Sequence, residues 1–203
     1  MTNGISVKKR NGRGVEPLDL EKIHNMVEEA CKDVTGVSAS QVEIQSGIQF
    51  YDGISTAEIQ DILIKSASDL ITLDNPNYQF VAARLLLFAT RKSLYGRSRD
   101  LPHLETHIMN CTNIDVYDKE IFGKYSKEEI DKANSFVDHE RDFLFTYAGL
   151  RQVVDKYLVQ DRSTGKVYET PQFMYIMIAL TIFSNYPKET RLNYVRRYYD
   201  AIS

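Results

Sequence analysis

The run Phe173–Phe183 is apolar on nearly every side of a helix, is entered through Thr170-Pro171 and is broken by Tyr186-Pro187. Such a helix has no face to offer water, so the chain has to wrap it in other elements. It is also too short to cross a bilayer, which takes roughly 18 apolar residues or more. The fold must therefore be a packed helical core. A length of 203 residues, 43% of them hydrophobic, suffices for one generous core or two small ones. A net charge of −3 offers polyanions no global attraction, so any phosphate binding must come from a local basic cluster. Bulk nucleic-acid binding and membrane insertion are thereby disfavoured.

At the N-terminus, Ile5–Lys9 and Val15–Leu18 read as short strands around Asn11-Gly12-Arg13-Gly14, a hairpin turn with the residues that accept positive φ. Asp19 then caps a helix. Ile23, Met26, Val27, Ala30 and Cys31 recur at helical spacing, and the helix is expected to reach about Val34. Ser40 with Glu43, and Ser55 with Glu58, have capping-box spacing and predict two further helix starts on either side of a break at Tyr51-Asp52-Gly53. The helix from Ser55 is expected to stop before Asn75-Pro76, and a fourth, from Asn77 to Tyr95, to end at Gly96. The polar stretch Arg97–Asp100 marks a domain boundary, giving a hairpin plus four helices over residues 1–96 and a second domain over 97–203. Beyond it come shorter helical pieces to about Ala133, a second hairpin around Asp161–Gly165, the apolar helix, and a last helix from Glu189 to Ala201. The fold class is mainly α with small β-hairpins.

Three basic residues, Lys8, Lys9 and Arg10, end the first strand; Thr56 opens a helix and Lys92 closes another. Together they could converge on a triphosphate, because a helix N-terminus offers unpaired N–H groups and the cations add full charges. The same residues also fit a solvated strand face and an ordinary cap. Cys31 and Cys111 lie far apart and outside any zinc or redox spacing, so they read as free thiols of a soluble protein in a reducing cytosol, and no metal site is expected in the chain itself.

Longer strings resolve the ambiguity. Val7-Lys8-Lys9-Arg10-Asn11-Gly12, Asp19-Leu20-Glu21-Lys22-Ile23, the run from Gln49 through Thr56, and Ala82-Ala83-Arg84-Leu85 resemble the ATP-cone regulatory domain. Val137–Asp142, Lys156–Gln160 and Ser184–Arg191 are similar to the segment that leads into the catalytic barrel of the class I ribonucleoside-diphosphate reductase large subunit. The resemblance implies that Lys9, Arg10, Thr56 and Lys92 hold phosphates of ATP or dATP, with Mg accompanying the nucleotide. It also implies that Glu16 and Asp19 face the adenine amino group, that Lys22 reaches the ribose, and that Val7, Leu18, Ile23 and Ile59 wall the base pocket. Ordinary core explains those four equally well.

It further implies a cytoplasmic enzyme making deoxyribonucleotides, with a ten-stranded α/β barrel, catalytic cysteines, a specificity site and a disulfide-exchanging tail all beyond Ser203. The partners would be the C-terminal remainder of the large subunit, a radical-generating small subunit and a second large subunit. Alone the chain is expected to be inactive, being either part of a naturally split large subunit completed by a second polypeptide or an expressed fragment. Two readings compete: a stand-alone ATP-cone module, and a helical nucleic-acid binder using Arg191, Arg196 and Arg197 interleaved with Tyr194, Tyr198 and Tyr199.

Gln60 and Ala89 stand where the family pattern often has histidines, and Ala89 can neither donate to phosphate nor change charge near neutral pH. The site is therefore expected to bind nucleotide while separating ATP from dATP poorly. Titrating the reconstituted reductase with dATP should leave turnover largely intact, and a strong shut-off would contradict this reading.

Overall fold

The computed structural model describes residues 4–9 and 14–203. The middle of the first hairpin turn, and Arg10 with it, lies outside the described residues. Helices dominate, and the chain divides into two compact units: residues up to Ala89 with Phe143–Arg151, and Thr90–Asp142 with Gln152–Ser203.

In the first unit, strands β1 (Ser6–Lys8) and β2 (Val15–Pro17) pair antiparallel with Val7 opposite Glu16. The sequence shows only this hairpin, but the structure adds a third strand, β3 (Ile54–Ser55), which lies parallel to β1 on its other side. Two residues carry no readable alternation. What holds them in place is Asp52, which accepts from Ser6 N at 2.8 Å and from Ser6 Oγ at 2.5 Å, while Gly53 N donates to Ser6 O at 2.8 Å.

Helices α1 (Leu20–Cys31), α2 (Ala39–Gly47) and α3 (Thr56–Asp69) follow the strands, and α4 (Tyr78–Tyr95) begins in this unit. Asp19 caps α1 as expected, accepting from Lys22 N. Ser55 and Glu58 close a complete capping box on α3, whereas α2 starts after Ser38 rather than Ser40. Helix α1 stops at Cys31, short of Val34, because Asp33 turns to φ +59° and Arg84 takes over the orphan carbonyls, donating to Ala30 O at 3.2 Å and to Lys32 O. Helix α3 ends at Asp69, and exposed residues 71–76 bridge to α4. Val27, Ala30, Val42, Leu63, Ala67 and Val81 fill the core. Phe143 closes it, edge-on to Phe88 at 6.0 Å and beneath the Arg84 guanidinium at 5.6 Å.

In the second unit, α5 (Leu104–Asn113), the short α6 (Ile121–Lys124) and α7 (Lys127–Asn134) are followed by the start of a 3-10 turn, His139–Leu144. Its end and nearly all of α8 (Tyr147–Gln152) belong to the first unit, and the chain re-enters the second at a π-turn, Val153–Tyr157. The second hairpin is real but minimal, with β4 (Gln160–Asp161) against β5 (Lys166–Val167). Helices α9 (Pro171–Ile182) and α10 (Lys188–Ile202) complete the unit. Gly96 takes φ +72° and its N–H reaches Lys92 O, the expected end of α4.

One expectation fails here: helix α9 is not enclosed on every side, since Ile178 and Ile182 remain 38% and 49% exposed. On α10, Tyr194, Arg196 and Arg197 are exposed, while other members of its basic and aromatic set turn inward. Arg191 and Tyr199 are buried, and Arg191 is held by Glu129 through contacts of 2.7 and 2.5 Å, by Lys124 O and Ser184 O, and by the Tyr125 ring. A second buried network runs from Arg91 to Asp142 at 2.9 Å, on to Gln172 and then to Tyr199. Among the described residues no helix is long and apolar enough to cross a membrane.

Because Arg191 is 3% exposed and Glu129 also forms the capping box of α7, removing the guanidinium strands a largely enclosed carboxylate. Arg191→Ala should cost about 3–5 kcal/mol in urea unfolding. A loss below about 1 kcal/mol, the range of exposed pairs, would mean that α10 is not anchored through this pair.

Candidate functional site: the charged corner of the first unit

Strand β1 lies at the centre of the three-stranded sheet, and its parallel neighbour β3 runs straight into α3. The register places Lys8 opposite Ser55, so the basic end of β1 arrives beside the N-terminal turn of α3. Gly53 makes room for it: the Lys8 ammonium lies 3.9 Å from where a Cβ would stand, and φ of +81° already disfavours any side chain there. Lys8 faces the carboxylates of Asp52 and Glu58. Thr56, half-buried, is the first residue of the helix.

Around the β2–α1 corner, Lys9 pairs with Glu16 at 2.9 Å and Lys22 with Asp19 at 3.1 Å. The hydrogen bond from Lys9 holds the Glu16 carboxyl below the usual range, with further pull from Lys22; the Lys22 backbone and side chain do the same for Asp19. Lys22 is raised in turn by Asp19 and Glu16. Four of the residues singled out from the sequence thus form one corner of alternating charge. Of the four apolar residues, Val7, Ile23 and Ile59 are buried in the core and Leu18 is half-buried, its N–H donating to Ile5 O. Gln60 is buried in α3 with its amide against Met26 Sδ at 3.9 Å, and Ala89 is half-buried on α4. Lys92 is exposed in the last turn of α4, on the second unit's side of the division. Arg10 lies outside the described residues.

Sequence reasoning missed Asp52, Glu58 and Tyr51 as members of this corner. Glu58 was legible only as a capping residue, yet it also accepts from Tyr51 OH at 2.8 Å. An anion approaching α3 therefore meets Lys8 and a helix N-terminus, but also the carboxylates of Asp52 and Glu58, whose hydrogen bonds keep them ionised.

Cys31 is half-buried and Cys111 buried, and burial pushes both thiols up to about 11, so neither is a ready thiolate. In the second unit His103, Glu105 and Asp131 bring ligand atoms within 4.8 Å of one another at the surface. Glu105 is already engaged by Lys127, and His103 by Asp131.

Comparison with known families picks out two stretches of the chain. Residues 5–93 match the ATP cone domain, and residues 143–203 match the ribonucleotide reductase all-alpha domain. Over all 203 residues the chain is 46% identical to ribonucleoside-diphosphate reductase 1 subunit alpha of Escherichia coli (strain K12), covering 26% of that protein. The chain is homologous to the N-terminal part of reductase alpha subunits. The corresponding subunits of bacteriophage T4 and Helicobacter pylori are 41% and 35% identical over 98% of the chain, and it covers 26% and 24% of them. It thus spans about a quarter of the length of these reductase relatives.

The Glu58 carboxyl is lowered to about 2 from 4.5, first by the Ser55 hydroxyl and backbone and then by Tyr51. A carboxyl whose folded pKa is depressed contributes stability above its unfolded pKa and loses it as pH falls through the folded value. Thermal unfolding of the chain should therefore show a stability loss between pH 4.5 and about 2 that is shallower in Glu58→Gln, which keeps the capping geometry without the charge. Identical acid limbs for the two proteins would rule out this contribution.

Proposed function

We propose that the chain is the regulatory and helical N-terminal quarter of a ribonucleoside-diphosphate reductase, an oxidoreductase that makes deoxyribonucleotides from ribonucleoside diphosphates for DNA synthesis. Its cone takes ATP or dATP as the effector of overall activity. The observation that carries this reading is identity of 46% to a reductase alpha subunit sustained across both units rather than confined to the cone. A stand-alone cone would have no reason to keep the second unit.

Within the cone, Lys9, Arg10, Thr56 and Lys92 serve the phosphates, with Mg entering on the nucleotide. Glu16, Asp19 and Lys22 serve the adenine and ribose; Val7, Leu18, Ile23 and Ile59 lie beneath the base. The closed Lys9–Glu16 and Lys22–Asp19 pairs give this site a definite cost of entry. Nucleotide must exchange those contacts for its own, and being exposed they are individually weak. The first domain of this reading covers residues 1–96 and the second 97–203. Catalysis needs the cysteines of the remaining polypeptide, a radical-generating small subunit and pairing of large subunits, because half-buried Cys31 and buried Cys111 are both protonated thiols.

Calorimetric titration of the chain with ATP and with dATP tests the effector site. Saturable binding is expected, weakened about tenfold or more by Lys9→Ala and by Lys92→Ala, as for loss of a charge-assisted phosphate contact. Binding unaffected by both substitutions would move the nucleotide elsewhere; no binding to a folded chain would remove the effector role from this polypeptide on its own.

A further inference from the structure

The second unit carries an open groove of about 450 Å³ along α9. Met174, Ile178 and Ile182, one turn apart in succession, form one wall, and Val159 stands in the other. Ile178, Ile182 and Val159 are 38%, 49% and 38% exposed, an aliphatic strip on a helix whose sequence has no side meant for water. The floor is polar: Glu169 is buried, accepts from Tyr117 OH, and takes the Val159 N–H at 2.7 Å. Asp118 and Glu120 stand at the rim, where the one cation, Lys124, is already drawn to Glu120 at 3.5 Å. The groove is apolar in its walls and carries surplus negative charge.

We propose that this groove receives an aliphatic segment flanked by a lysine or arginine, contributed by the part of the reductase alpha polypeptide outside this quarter. The proposal rests on the functional reading above. The reductase relatives are about four times as long as this chain, which covers 26% of the Escherichia coli protein. The strip also lies within residues 143–203, the part matched as the all-alpha domain. A second copy is the poorer occupant, because an isologous face would bring two acidic rims together.

The test places Ile178→Cys and Ile182→Cys in the isolated chain and in a full-length alpha subunit whose matched quarter, in the Escherichia coli relative, is replaced by this chain. Leu73→Cys, at a fully exposed position of the first unit, is the control. Maleimide labelling is read peptide by peptide, so that Cys31 and Cys111 do not interfere. Both α9 positions should label readily in the isolated chain and about tenfold or more slowly in the full-length subunit, with the control unchanged. Equal labelling at α9 in a full-length subunit that reduces ribonucleoside diphosphates would overturn the groove assignment alone; equal labelling in an inactive subunit would overturn it together with the functional reading. Labelling of the isolated chain that slows as its concentration rises would hand the groove to a second copy.

Discussion

The carboxylate of Asp52 reaches across sequence to the first strand and fixes Ser6 by its N–H and its hydroxyl. Without that clamp β3 would be two residues of loop and β1 would be one arm of a hairpin too small to be stable. With it, the strand that carries Lys8 and Lys9 is locked to the start of α3, and the charged corner exists as a place. The rest of the first unit follows. Ile54 and Val7 are pressed into the core as register partners, and α3 leaves the sheet in the direction set by its capping box.

Much of the fold was legible because it is written in local chemistry. Asp19, the Ser55–Glu58 pair, Pro171 and Gly96 each act within a few residues of themselves, and each did in the structure what its type dictates. What escaped reading depends on residues far away in sequence. Helix α1 stops where Arg84 supplies donors to its last carbonyls, 52 and 54 residues distant, and β3 depends on a side chain reaching back 46 residues. The pattern of α10 shows the same limit: it reads as a surface helix with an aromatic inner face, which Arg196, Arg197 and Tyr199 fit, but it does not disclose that Glu129 and Tyr125 draw Arg191 into the interior.

The candidate site was legible in its cations and in its resemblance, and less so in its anions. Lys9, Glu16, Asp19 and Lys22 do meet, yet the meeting consists of salt bridges among themselves, which spacing along one chain does not disclose. Glu58 illustrates the difficulty. A residue fully explained as a helix cap gives no hint that a tyrosine and a lysine also converge on it.

The segment Phe143–Arg151 belongs to the first unit although the second unit flanks it on both sides in sequence. The chain therefore leaves the first unit at Ala89 and returns with Phe143 to cover Phe88 and Arg84. No single cut separates the two units cleanly. During synthesis the cone's apolar side also stays open until the chain has been made past residue 151, so a ribosome-bound intermediate ending between residues 89 and 142 would show that face to chaperones or to itself.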